Sequence, residues 1–381
     1  MSTETTDILI IGAGAYGLSA AWWIGERDTG ARVMVLDAGD FAANGTGSCG
    51  AGVRMQWGLE LSIGLMTESI AFFEDAEKRL DFPGGIEFKQ EGYMMLARDA
   101  DMLGDFQANV ERQNALGVPS RILSPEEALK MVPKLNPNLL VGAAFCPKDG
   151  TVSPFLWLDA LLRAVRRAGA EVRFGTTVTR LEQKGGTIVA QTTKGPVEAA
   201  KVLVCTDWAA PQLLAPLGID LPIEAMPNEA MVTEPWQPVF GPCLVRIEHG
   251  LFINQLPRGS IVAVVTRELP KDESSSNHAD WLPLGAGLFV ETLPAFAHLN
   301  IVRNWCHPVS ITPDMQPILG EMAVPGLFLA VSAYKGFMTS PAVGRLMADV
   351  VLDGRSNHPA LAAFNLKRFE TGDLIPEPLV I

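Results

Sequence analysis

The sequence predicts an α/β fold: a Rossmann-like nucleotide-binding domain on a parallel sheet, with a discontinuous α+β domain on a mainly antiparallel one. Three observations carry this. The apolar run Asp7-Ile8-Leu9-Ile10-Ile11 breaks at Gly12-Ala13-Gly14-Ala15-Tyr16-Gly17, and a helical pattern follows at once (Leu18, Ala20, Ala21, Trp22, Ile24). A second apolar strand, Arg32-Val33-Met34-Val35-Leu36, ends in Asp37. From Pro216 to Val302 prolines become frequent and short alternating strands replace helices, the pattern of an antiparallel sheet.

The first turn is the most specific of the three. It fits G-x-G-x-x-G between a strand and a helix. Gly12 permits the tight turn, Gly14 lets backbone approach a pyrophosphate, and Gly17 lets the helix pack close to the strand. A phosphate beside Ala15 and Tyr16 faces free N–H groups and the positive end of the helix dipole. Asp37 is placed to accept hydrogen bonds from a ribose.

Composition narrows the classes. At 381 residues the chain exceeds one simple core and suits two or three intertwined domains. It is 48% hydrophobic and 19% charged, enough for a sizeable core and against disorder. A net charge of −13 argues against nucleic acid as a partner. Polar residues Met1 to Thr6 lead straight into the first strand and no apolar stretch is long enough to span a bilayer, so a cytoplasmic location is expected. Cys49, Cys146, Cys205, Cys243 and Cys306 are scattered without a C-x-x-C pair, and reduced thiols are expected. The histidines all lie beyond residue 248 and form no ligand group with them, so no metal site is expected.

After Asp37 and Ala38 comes a long loop of small residues, Asn44-Gly45-Thr46-Gly47-Ser48-Cys49-Gly50-Ala51-Gly52-Val53-Arg54-Met55-Gln56-Trp57. Small residues let backbone lie against a flat or phosphorylated ligand. Val53, Met55 and Trp57 call for burial, and Arg54 can face an anion. Helical periodicity covers Leu59 to Leu80, strands flank Gly92 between Ile86 and Arg98, and helix returns from Asp99 to Leu116. Ser124-Pro125-Glu126-Glu127 reads as a capping box. Phe155 to Ala168 is an amphipathic helix, followed by strands at Glu171–Phe174, Thr177–Glu182 and Ala200–Cys205. Thr206-Asp207-Trp208 then turns into a helix.

Further strands are expected at Glu229–Thr233, Val245–Gln255 and Ser260–Arg267, an exposed turn over Lys271–Asp280, and a helix near Pro283–Leu293. The last unit is a strand, Gly326–Ser332, a turn through Tyr334, Lys335, Gly336, Phe337 and Met338, and a helix, Ala342–Leu352. A glycine-bearing strand–helix turn at each end of the chain implies one long ligand held by both. The expected nucleotide-binding domain takes 1–85, 141–215 and 301–381; the substrate domain takes 86–140 and 216–300.

In this order the motifs resemble the D-amino-acid oxidase-like family of FAD enzymes, over nearly the whole chain. The residues that carry the resemblance are Gly12 to Gly17 with Asp37, the Gly47 to Arg54 loop, Asp149-Gly150 to Pro154, the Val178 strand, Cys205-Thr206, Thr312-Pro313-Asp314 to Gly320, and Gly336-Phe337. Gly52 to Glu60 and Ile253 to Gly259 look closest to β subunits of heteromeric sarcosine oxidase, proline dehydrogenase and opine dehydrogenase complexes. The resemblance implies a glutathione-reductase-type FAD-binding domain. Gly12, Gly14, Ala15, Tyr16 and Gly17 then hold the FAD pyrophosphate, Asp37 and Ala38 the adenosine ribose, and Val178 the adenine. Gly47, Ser48, Gly52, Val53, Arg54, Thr206, Trp208, Gly336, Phe337 and Met338 line the rest of the cofactor.

The implied activity is oxidation of a secondary amine or amino acid (opine, proline or sarcosine type) by hydride transfer to flavin, giving an imine that hydrolyses. Cations and amides are needed for a substrate carboxylate. The candidates are Arg54, Gln56, Trp57, Arg246, Asn254, Arg258 and Lys335, with His249 and His307 as groups that could move protons. The sequence departs from the family at four places. Met338 stands where monomeric sarcosine oxidases carry a carboxylate-binding lysine. Ile261 to Val264 is apolar where they carry an oxygen-activating lysine. Lys148 lies where a histidine would hold covalent FMN. Asp207 replaces a usual glycine. The missing activating cation favours electron transfer to a partner subunit, with FMN at a shared interface a further expectation. The alternatives are a self-sufficient glycine or D-amino-acid oxidase and a non-catalytic flavin-binding subunit.

Overall fold

A computed structural model of the chain describes residues 3–266 and 273–378. The first strand, Glu4–Ile11, runs into helix Ala15–Glu26 through the glycine turn. It pairs in parallel with Val33–Leu36 on one side and Val197–Val204 on the other. Glu171–Arg173 and Leu327–Val331 extend the parallel layer, and Ile318–Glu321 closes it antiparallel. The hairpin Val178–Lys184 and Thr187–Thr192 hangs from Val197–Val204. The central strands are buried on both faces, as continuous Val/Ile/Leu runs predict. Helices Ala15–Glu26, Glu60–Glu74, Pro154–Arg167 and Gly336–Asp353 share one apolar cluster against the sheet, where Trp22, Phe72 and Trp157 meet edge to face.

The second layer is an eight-stranded sheet in the order Ile301–Ile311, Glu224–Thr233, Ile261–Val265, Leu251–Gln255, Cys243–Arg246, Tyr93–Ala97, Gly142–Cys146 and Arg121–Leu123. Every pairing in it is antiparallel except Cys243–Arg246 with Tyr93–Ala97. Two of its strands carry the expected domain boundaries. Gly142–Cys146 lies within 141–215 and Ile301–Ile311 within 301–381, yet each pairs along its length with a substrate-domain strand. Cross-strand pairing outweighs sequence neighbourhood, and the antiparallel layer takes both.

Local signals mostly hold. Ser124 and Glu127 form the reciprocal capping box. The expected single strand over Val245–Gln255 is instead a hairpin, Cys243–Arg246 and Leu251–Gln255, reversed at Gly250 with φ +57°. The helix expected over Ala342–Leu352 starts at Gly336 and runs through Pro341 to Asp353. Proline deprives the Phe337 carbonyl of its partner four residues on, and the Ser340 hydroxyl donates to that carbonyl at 2.8 Å instead. The strand expected to reach Arg267 is seen as Ile261–Val265. Arg267 and the first residues of the expected Lys271–Asp280 turn lie outside the described residues. No described helix is long and apolar enough to cross a membrane, and the described residues hold no metal-ligand cluster.

Candidate functional site

A cleft of about 680 Å³ lies between the two sheets, and its walls come from both ends of the chain. Its floor is the glycine turn. Gly12 has φ +109°, and a Cβ there would meet the Cys205 carbonyl at 2.4 Å. A Cβ on Gly17 would meet the Gly12 carbonyl at 1.9 Å, so only glycine lets helix and strand approach this closely. Gly14, in ordinary extended backbone, brings no cap of its own to helix Ala15–Glu26, and the Thr46 hydroxyl of the small-residue loop accepts the Ala15 N–H at 3.1 Å. Asp37 closes the second strand; its carboxylate accepts the Ala13 N–H at 2.7 Å and the Gly39 N–H at 2.8 Å. Burial raises its pKa, and each oxygen keeps lone-pair capacity for another donor.

The small-residue loop forms one side wall. It includes a short helix, Gly45–Ser48, and the antiparallel sheet ties it down. Asn254 donates to the Gly50 carbonyl at 3.0 Å and Trp305 to the Ser48 carbonyl at 2.9 Å. A Cβ on Gly52 would lie 1.6 Å from the Tyr93 hydroxyl. At the far end, Tyr16 and Thr339 hydroxyls meet at 2.8 Å and lock helix Ala15–Glu26 to helix Gly336–Asp353. Asp207 sits in left-handed backbone with φ +51°. Its carboxylate accepts both the backbone N–H and the hydroxyl of Ser310 and of Ser332, joining strands of both sheets beneath the cleft.

Of the residues expected to hold a cofactor, Gly12, Gly14, Ala15, Tyr16, Asp37, Ala38, Gly47, Ser48, Gly52, Arg54, Val178, Thr206, Trp208, Gly336, Phe337 and Met338 line this cleft. Gly17 and Val53 do not. Gly17 packs on the strand, and Val53 points into the core and is fully buried.

The expected substrate residues divide sharply. Arg54 lines the cleft, is only 1% exposed, and its two terminal nitrogens have no hydrogen-bond partner among the described residues. Its guanidinium lies 3.7 Å from the centroid of the Trp57 ring. The other candidates are turned elsewhere. Gln56 donates to Asp149 at 2.9 Å and to the Tyr93 carbonyl at 3.1 Å. Trp57 lies beneath Arg54, outside the lining. Arg246 is held by Glu248 and Glu291 at 3.1 and 2.7 Å. Asn254 gives its amide N–H to Gly50 and lies outside the lining, its Oδ1 buried without a partner among the described residues. Lys335 uses its three N–H donors on Glu377, Gln316 and Ser62. Arg258 and His249 are also absent from the lining.

Sequence reasoning missed Tyr93, Asn228, Phe252 and Tyr334, which complete the wall around Arg54. Tyr334 carried no sequence signal, but its φ of +76° is rare for an aromatic residue. The Tyr334 and Thr266 hydroxyls lie 3.1 Å apart, and Thr266 also donates to Asn228 at 3.4 Å. His307 also lines the cleft, where burial lowers its pKa and keeps the ring neutral near pH 7.

The donor set suits a dinucleotide with a flat ring: a helix N-terminus facing the cleft, an acid at the end of the second strand, and glycine loops on both sides. The comparisons agree with that geometry. The sarcosine oxidase subunit beta of Rhodobacter capsulatus is 27% identical over 97% of this chain and 90% of its own length. The crystal structure of L-proline dehydrogenase from P. horikoshii superposes with a TM-score of 0.92 at 27% identity, covering 98% of this chain and 100% of that one. Glycine oxidase from Geobacillus kaustophilus shares the fold, with a TM-score of 0.89 at 24% identity over 96% of this chain and 99% of its own. A family model described as FAD dependent oxidoreductase matches residues 7–350. The chain therefore belongs to the DAO family of FAD-dependent oxidoreductases.

Proposed function

We propose that this chain oxidises a small secondary amine or amino acid bearing a carboxylate, of the opine, proline or sarcosine kind, to an imine that hydrolyses. The observation that carries this reading is Arg54. A buried guanidinium with two unpartnered nitrogens is costly. A protein keeps such a group where a ligand supplies the missing acceptors, and a carboxylate matches its planar fork. The named substrates of similar proteins, sarcosine and L-proline, are small amines with one carboxylate and support the same reading.

Gly12, Gly14, Ala15 and Tyr16 hold the FAD pyrophosphate in this account, Asp37 the ribose and Val178 the adenine. The Gly47–Gly52 loop and Gly336–Met338 flank the redox-active ring. Bound FAD supplies the acceptor for a hydride from the carbon beside the substrate nitrogen. The chain's own residues orient the substrate and exclude water. Arg54 fixes the carboxylate, the Tyr93 and Phe252 rings cover the apolar body, and neutral His307 adds no positive charge.

Electrons then pass to a partner subunit or second cofactor, with FMN at a shared interface one form this takes. No lysine lines the cleft among the described residues, and Ile261–Val265 is buried and apolar. Reducing oxygen develops negative charge that an ammonium would stabilise, and no described residue offers one to the cleft. The test is anaerobic mixing of the yellow protein with sarcosine, L-proline and N-carboxyalkyl amino acids, each beside its carboxamide. The carboxylates should bleach the flavin and the amides should not. Reoxidation should be fast with an artificial acceptor and slow with oxygen. Equal bleaching by amide and carboxylate contradicts the proposal, and fast stoichiometric hydrogen peroxide formation contradicts the electron route.

A further inference from the structure

Arg54 shares its indole with a second cation. The Lys335 Nζ lies 4.5 Å from the Trp57 ring centroid, and the Arg54 guanidinium carbon 3.7 Å from it. Lys335 is buried, and burial pushes its ammonium down to about 8 despite the carboxylate of Glu377 beside it. That carboxylate comes from the last described stretch of the chain. Its Oε2 accepts from Lys335 Nζ at 2.9 Å and from the Ser62 hydroxyl at 2.9 Å. Its Oε1 accepts the backbone N–H of Gly58 at 2.9 Å and of Leu59 at 3.0 Å.

Those two amides directly follow Trp57 and lead into helix Glu60–Glu74, where an anion is favourably placed. One buried carboxylate therefore fixes both the second cation on the indole and the backbone that carries the indole. Pro378 packs on the same spot, since a Cβ on Gly58 would lie 2.7 Å from its ring. Trp57 passes this order on. Its Nε1 donates to the Arg54 carbonyl at 3.1 Å, and its ring lies under the guanidinium.

We propose that Glu377, on the C-terminal segment, is a positioning residue for Arg54: clamping Lys335 and Gly58–Leu59 around Trp57, it holds the guanidinium in the cleft with two nitrogens free for a carboxylate. The inference rests on the reading of Arg54 as the carboxylate anchor. Glu377 touches no substrate. It acts from outside the cleft through Trp57, and it ties carboxylate recognition to docking of the segment that carries Glu377 and Pro378.

The test uses flavin-loaded wild type, E377Q, the double variant K335M/E377M and R54M. Each is titrated with sodium acetate, and with acetamide as neutral control, by following the visible flavin band. E377Q should bind acetate about tenfold more weakly, the scale of one misplaced charged hydrogen bond, with flavin content and acetamide response unchanged. K335M/E377M removes the buried pair together, which stability tolerates far better than removal of one partner. It should recover thermal stability while acetate binding stays weak, and it carries the test should E377Q fail to fold. Wild-type acetate affinity in E377Q, or recovery of both stability and affinity in the double variant, overturns the inference. R54M separates the two levels. If R54M binds acetate as wild type does, or wild type shows no acetate response, the anchor reading itself fails. If R54M loses acetate while E377Q keeps it, only the role of Glu377 falls.

Discussion

Replacing Arg54 by methionine should move stability and ligand binding in opposite directions. The guanidinium is 1% exposed and its terminal nitrogens are unpartnered among the described residues. Exchanging a buried ion pair for apolar side chains of similar volume is often neutral or stabilising by about 1–4 kcal/mol, and Arg54, whose terminal nitrogens meet no acceptor among those residues, has less attraction to forfeit. The exchange forfeits the contact between guanidinium and indole, worth about 2 kcal/mol when desolvated, and methionine recovers part of it through its sulfur. The net expectation for R54M is a change between zero and a gain of about 2 kcal/mol. A charged hydrogen bond to a ligand carboxylate is worth about 1.5–3 kcal/mol, so carboxylate ligands should bind about 10- to 100-fold more weakly. Denaturant unfolding of the flavin-loaded protein gives the first quantity, and titration of the flavin band the second. A variant that loses more than about 1 kcal/mol and binds carboxylates unchanged would make Arg54 a structural residue and refute the reasoning.

Burial raises the Asp149 carboxyl to about 6, above its ordinary value of about 3.9, so the folded chain holds this proton more tightly than the unfolded one. Ionised Asp149 therefore costs stability that grows from about pH 4 to pH 6, reaching about 3 kcal/mol above that window. The stability of D149N relative to wild type should rise by that amount between pH 4 and 7, and a pH-independent difference contradicts it. Because a Cβ on Gly17 meets the Gly12 carbonyl, G17A should cost about 1–3 kcal/mol and lower the flavin content of purified protein; full retention of both speaks against the close packing. R246M breaks ion pairs to Glu248 and Glu291 outside the cleft. It should lower the melting temperature and leave carboxylate affinity unchanged in the same flavin titration.

The glycine turn, Asp37 and the small-residue loop were legible because their constraints are local. A positive φ or a missing Cβ writes itself into three or four adjacent residues. Arg54 was legible as a candidate because apolar neighbours pulled its loop inward. Lys335 and Arg246 looked equivalent to it, but Glu377 and Glu291, which help hold them, lie 42 and 45 residues away in the chain, and no local pattern announces such a pairing; only Glu248, two residues from Arg246, was near in sequence. The same distance sets sheet membership: Gly142–Cys146 and Ile301–Ile311 pair with strands remote in sequence. Tyr334 was invisible because its unusual backbone follows from its surroundings. Ser332, just before it, is held by Asp207 through both its N–H and its hydroxyl.

The most direct test of a carboxylate anchored by Arg54 beside FAD is anaerobic reduction of the bound flavin, followed against concentration of a carboxylate-bearing secondary amine such as L-proline or sarcosine. Wild type should saturate. R54M should need about 10- to 100-fold more substrate to reach a similar limiting rate, and the carboxamide should discriminate poorly between the two proteins. Equal half-saturation in wild type and R54M, with the same preference for carboxylate over amide, would contradict the account.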